Sequence, residues 1–295
     1  MIRSKEYITG DYMEIEIFNL PAYIKPFKRK RKIRESTPAQ KNLNDKRSKR
    51  YLIRLIHNNF TSRDLFVDLT YDNEHLPETR AGVAKDVRNY IKRLQRTREK
   101  EGLDKLKYVY VISCSDQEGN KVRWHVHMII NGMDRDTAED KWGKGFADAA
   151  RLQFGDTGIT GRAIYMFRQS KHERSWSCSL GLKKPEATVS DHKISKRQMQ
   201  HMGTRPDDRQ YIEKIINGRG AKRAWTFTDC QVEYNGQMIM DGIYQDNHGY
   251  GNGISLLIRA RRINGNHEKG IRSDLLSHTR DQNVRTGTQR AGAGG

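Results

Sequence analysis

The sequence predicts an α+β protein built on a mainly antiparallel sheet with helices packed against it. Three observations carry this. Short runs with period-two hydrophobicity recur along the chain, "YMEIEIF" and "LKYVYVISC" among them. One 21-residue stretch, "GVAKDVRNYIKRLQRTREKEG", has helical periodicity. Two of the strand-like runs flank the short turn "DQEGNK", the arrangement of an antiparallel hairpin.

In chain order, "YMEIEIF" near the N-terminus reads as one strand. A basic arm follows. From Lys25 to Arg54 the chain carries 13 Lys and Arg against two acids, the pattern of a solvated or disordered arm. Its end, with Leu52, Leu55 and Ile56, reads as a helix docking on an apolar edge. The compact part begins near Phe60. "DLFVDLTYDNEHLP" gives a strand from Leu65 to Tyr71 and a polar loop ending at Pro77. In the long helix, Val83, Val87, Tyr90, Ile91 and Leu94 form one stripe and cations take the other faces. "LKYVYVISC" and "VRWHVHMII" pair as a hairpin. "RDTAEDKWGKG" is a short helix stopped by Gly143 or Gly145. "TGITGRAIYMFRQSK" is a helix with Ile159, Ala163, Ile164 and Phe167 toward the core. Helices are expected at "ISKRQMQHM" and "RPDDRQYIEKIING", the second stopped at Asn217-Gly218. Strands return in "AWTFTDCQVEY", "QMIMDGIY" and "GISLLIRARR". From Ile263 onward little can be buried, and a disordered tail is expected. The expected organisation is therefore an N-terminal strand and basic arm over 1–58, a domain over 59–262 and a tail over 263–295.

Composition narrows the function classes. The chain has 295 residues, with 55 Lys and Arg against 36 Asp and Glu, a formal net charge of +19. Mean hydropathy is −0.91. That excess suits a polyanionic partner, because each neutralised phosphate releases condensed counterions. No run reaches membrane-spanning length and no amphipathic anchor stands out, so no membrane partner is expected. Cys114, Cys178 and Cys230 lie far apart, which argues against a zinc ribbon or disulfide framework and for a reducing cytoplasm.

The chemistry concentrates in "KVRWHVHMIING". Strand alternation puts His125 and His127 on one face, and two imidazoles converging from one strand can bind a divalent metal. Two histidines leave the site incomplete, with positions open for water or substrate oxygens, and a basic protein makes a phosphodiester the natural substrate. The attacking group is either metal-bound water or a side chain. Tyr165 lies about 40 residues downstream on a helix, with Arg168 one turn on and Lys171 one turn further. A cation beside the phenol would favour phenolate and stabilise a phosphoryl transition state. Lys183 and Lys184 in "LGLKKP", and Arg123 beside the His pair, are candidate DNA contacts. Trp142 and Trp176 are expected to be structural.

The succession "LFVDLTY", "RWHVHMII" and "AIYMFR" resembles the three motifs of HUH endonucleases that initiate rolling-circle replication. The segments "RSKEYITG", "LIRLIHNNF", "FVDLTYDNEHLP", "LKKPEATVS" and "TDCQVEYNG" extend the likeness over residues 1–262. The chain thereby resembles replication-initiation (Rep) proteins of bacterial plasmids, phages and mobile elements, related to the filamentous-phage gene II protein. The resemblance implies a sheet like that of RNA-recognition domains. It implies that His125 and His127 hold Mg²⁺ or Mn²⁺, and that Tyr165 attacks origin DNA to give a 5′-phosphotyrosine and a priming 3′-OH. It implies rejoining of strands by the reverse reaction. Single-stranded origin DNA, and a host helicase and polymerase, would be the partners in a bacterial cytoplasm.

Two positions depart from the family pattern. Arg168 stands where the family has lysine. Ser113 stands where relatives place an acid on the strand before the His pair, so Asp116 in the adjoining turn becomes the candidate third ligand. Centring the hairpin on Gly119 would set Ser113 opposite His125. The alternatives are a relaxase- or transposase-type HUH enzyme, a catalytically weakened DNA-binding relative, and a nuclease that uses water. The sequence leaves the oligomeric state open.

Overall fold

In the computed structural model the described residues are 1–20, 38–116, 120–155, 158–161, 163, 166, 176–218, 224–235, 237–238, 244–245 and 253–263. Most of the basic arm, the centre of the hairpin turn and the tail beyond 263 lie outside them.

The α+β reading holds, with two antiparallel five-stranded sheets in place of one. The first sheet contains β3 (Leu65–Thr70), β4 (Tyr108–Ser115), β5 (Lys121–Ile130), β6 (Ala147–Arg151) and β7 (Ser177–Cys178), in the order β6-β3-β5-β4-β7. Its helices are α2 (Arg80–Lys100), between β3 and β4, and α3 (Arg135–Asp140), between β5 and β6. The chain order β-α-β-β-α-β and the first four spatial positions are those of a split βαβ sheet, the arrangement expected from the RNA-recognition-like comparison. β5, the His strand, is central.

α2 forms for the reasons its sequence gives. Thr79 caps it by accepting from Gly82 N, and Val83, Val87, Tyr90 and Leu94 are buried. That stripe meets Leu65, Val67, Leu69, Val126, Met128 and Ile130 on one face of the sheet. Each such aliphatic side chain contributes roughly 1.5–3 kcal/mol by leaving water. The opposite face carries Phe66, Val109, Val111 and Ile129. It is covered by Leu52, Leu55 and Ile56 of α1 (Pro38–Asn59) and by Ile159, Ala163 and Met166. Thr160, Gly161, Ala163 and Met166 have helical backbone, as the periodicity predicts.

The second sheet contains β1 (Ile2–Thr9), β2 (Tyr12–Asn19), β8 (Thr188–Ser190), β9 (Trp225–Asn235) and β12 (Gly253–Arg262), in the order β8-β1-β2-β12-β9. β10 (Gln237–Met238) and β11 (Tyr244–Gln245) form a small separate pair. The N-terminus is therefore a hairpin of two strands, turned at Gly10 with φ +64°, where the sequence suggested one. Met13, Ile15 and Ile17 face a core shared with α4 (Lys196–Thr204) and α5 (Arg209–Asn217). Asn217 and Gly218 end α5 as expected.

The alternating partners of those apolar residues, Glu14 and Glu16, face α1. Arg54 reaches both, at 2.5 and 2.8 Å, while Arg50 reaches Glu16 and Glu233. α1 is thus a layer between the sheets: its aliphatic side meets the first, its cationic side the second. Part of the basic run read as solvated arm is this buried, paired helix face.

Candidate nicking site on the central strand

The register places the His pair. On β5, His125 lies opposite Thr70 of β3 and Ser113 of β4, and His127 lies opposite Asp68 and Val111. The Ser113–His125 pairing is the one expected from a hairpin centred on Gly119. Val126 and Met128 point into the α2 core, so His125 and His127 share the other face. Their ring centroids are 5.0 Å apart.

Each ring is fixed through Nδ1. His125 Nδ1 donates to the Arg123 carbonyl at 2.9 Å. His127 Nδ1 donates to the Asp68 carboxylate, and the ring stacks on Phe66 at 5.9 Å. A carbonyl and a carboxylate only accept, so both Nδ1 atoms carry the hydrogen and both Nε2 atoms carry the lone pair. That tautomer is the one a metal ligand needs, and an imidazole N–H on a carboxylate or carbonyl is the usual support of such a ligand. His127 is buried, at 4% exposure, which holds it to one orientation.

Asp68 was missed by sequence reasoning. "LFVDLTY" carries a signal, an acid in the middle of an apolar strand, but its partner on β5 is set by long-range pairing. Asp148 on β6 continues the same row, opposite Asp68. Asp116, the candidate third ligand, is engaged elsewhere: it accepts from Asn120 N at 2.8 Å and from Asn120 Nδ2 at 2.9 Å, closing the hairpin turn. Ser113 is buried and bonds the Ser115 carbonyl. Among the described residues no group of three or more His, Cys, Asp or Glu converges as a metal cage. The donor set is therefore two Nε2 atoms with their supporting partners.

The other candidates are spread over the molecule. Arg123 shares the His face, exposed, and donates to Asn73. The backbone of Lys183 and Lys184 is sewn to the end of α1 by Asn58 and Asn59, leaving both residues exposed. Tyr165, Arg168 and Lys171 lie outside the described residues. Their neighbours Ile159, Ala163 and Met166 pack in one cluster with Ile129, two residues from His127 and on its face. Trp142 is buried and donates to the Thr70 carbonyl, and Trp176 stacks on Tyr51, so both are structural.

A tight joint fixes the start of that segment. His57 of α1 accepts from Ile159 N at 3.0 Å and stacks on Tyr12 of β2 at 4.5 Å. Tyr12 donates to the Gly155 carbonyl at 3.3 Å. Burial, with a smaller contribution from Arg259, pushes the His57 pKa down to about 4, so the ring is a neutral acceptor. Gly158, at φ +66°, lies so close to both rings that a Cβ there would overlap them.

The family comparison covers this site. Residues 64–172 match the model of a family of replication-associated proteins that takes in ORF2 and the phage gene II protein. The match bears out the resemblance to replication initiators related to gene II protein, and its span includes Asp68, both histidines and Tyr165. α1 before Asp64 and most of the second sheet lie outside it. No curated protein and no solved structure matches the chain. No described helix is long and apolar enough to cross a membrane.

Proposed function

We propose that this protein is a rolling-circle replication initiator that nicks single-stranded origin DNA by tyrosine transesterification. The observation that carries the reading is the pair of imidazoles on one face of the central strand, each with Nδ1 tied back and Nε2 presented. His125 and His127 would hold the divalent cation, Mg²⁺ or Mn²⁺, through Nε2. Asp68 would orient His127 and keep its tautomer. When bound, the cation supplies Lewis-acid polarisation of a phosphoryl oxygen.

Tyr165 is the nucleophile in this reading. Its phenolic oxygen attacks phosphorus; the P–O3′ bond breaks as the P–O(Tyr) bond forms. The phenol proton is lost and the departing 3′-oxygen takes up a proton, leaving a primer end. The phosphotyrosine keeps the phosphodiester energy for rejoining, when a 3′-OH attacks it in turn. Arg168 would offset charge on the phosphoryl group; its planar guanidinium can do so with two N–H donors where lysine has one point charge. Within the 59–262 span expected to be catalytic, this chemistry falls on the first sheet, and Lys183, Lys184 and Lys171 are the proposed DNA contacts around it.

The test is a denaturing gel of the protein incubated with a single-stranded origin oligonucleotide and Mn²⁺. A covalent adduct that is absent from Tyr165→Phe supports the proposal. Cleavage that persists in Tyr165→Phe without adduct replaces it with a water-using nuclease.

A further inference from the structure

We infer that Phe146 is a stacking platform for an unpaired DNA base beside the nicking site, an inference that rests on the proposed nicking function. Phe146 is 70% exposed, the most exposed aromatic ring among the described residues. It precedes β6, one position before Ala147. Ala147 packs on the α2 side, so an extended backbone turns Phe146 toward the face that carries the histidines.

The ring contributes nothing to the core, yet its backbone is held firmly. Thr70 donates to the Phe146 carbonyl through N at 2.8 Å and through Oγ1 at 3.1 Å. Gly145 before it has φ +136°, and a Cβ there would come 2.7 Å from the Thr70 oxygen. Only glycine permits this close approach. The outcome is a large apolar surface set rigidly in water. One exposed aromatic is ordinary in itself. Its place decides the reading.

Thr70 is opposite His125, so Phe146, Thr70 and His125 form one row across three strands. Two strand spacings put Phe146 about 10 Å from His125, a base or two from a phosphate at the His pair. Arg123 lies on the same face two residues from His125. An exposed ring beside a cation, on a chain of net charge +19, is the combination that binds single strands: the cation meets the phosphate and the ring meets a base. A duplex keeps its bases stacked internally and offers none to the ring.

The experiment measures binding of the full chain to fluorescent oligo(dT) and to a duplex of equal length, in EDTA so that no cleavage occurs. Phe146→Ala should weaken single-strand affinity about 5- to 150-fold, the range for loss of one base stack, and leave duplex affinity within twofold. Phe146→Trp should restore binding, with its tryptophan emission quenched by the oligonucleotide. Single-strand affinity unchanged in Phe146→Ala overturns the inference. So does equal loss on both DNAs, or a fall in oligomeric mass, which would assign the ring to a contact between copies. These outcomes are independent of the Tyr165 adduct: an intact adduct with no Phe146 effect removes the platform and keeps the nickase.

Discussion

Asp68 accepts the Nδ1 hydrogen of His127 across a direct β3–β5 pair. This contact sets the tautomer of a buried imidazole and aims Nε2 at the face where Ala163 and Met166 pack. If it supports a metal ligand, Asp68→Ala should lower Mn²⁺-dependent nicking roughly 10- to 100-fold, the usual effect of removing such a support. DNA affinity in EDTA should stay within twofold, and added Mn²⁺ should recover part of the rate. Equal loss of binding and nicking would make the pair a fold contact only. Asp68→Asn keeps an accepting oxygen and should be the milder change.

Gly158 makes a second relationship testable. An alanine there must hold φ near +66°, and its Cβ would overlap His57 Nε2 and stand 2.8 Å from the Tyr12 ring. Left-handed strain and the forced shift of two stacked rings together should cost on the order of 2–4 kcal/mol. Urea denaturation of Gly158→Ala measures this. A midpoint equal to wild type would show that the joint yields easily.

The buried His57 gives a pH dependence with a definite sign. Its folded pKa, about 4, lies below the ordinary 6.5, so between those values the unfolded chain binds the extra proton. This contribution to stability is complete above pH 6.5 and is lost as pH falls toward 4, amounting to roughly 3 kcal/mol. His57→Phe keeps a ring on Tyr12 and removes the titration, at the expense of the Ile159 hydrogen bond. Its stability should therefore fall less steeply than wild type between pH 6.5 and 4. Parallel curves would assign the acid sensitivity to other groups.

Much of this architecture was legible locally. α2 announced itself because its stripe and its cap are properties of neighbouring residues. The hairpin register that sets Ser113 against His125 followed from one short turn. Asp68 was not legible as a partner of His127, because β3 and β5 are joined by pairing across some 60 residues that no local pattern encodes. The second sheet escaped for the same reason: β2 pairs with β12, more than 200 residues away. The charge of α1 misled for a different reason. Lys46, Arg50 and Arg54 read as solvated cations, and only the structure sets Glu14, Glu16 and Glu233 against them. Asp116 was chosen by closeness in sequence, whereas its carboxylate closes the turn on Asn120.

The central claim is that strand cleavage passes through a covalent bond to Tyr165. Its most direct measurement is mass spectrometry of the protein digested with protease and nuclease after reaction with an origin oligonucleotide and Mn²⁺. The account predicts a peptide containing Tyr165 that carries a 5′-linked nucleotide and is missing when His125 and His127 are both replaced by Ala. Cleaved DNA with no nucleotide on any peptide, or with the nucleotide on a different tyrosine, would contradict it.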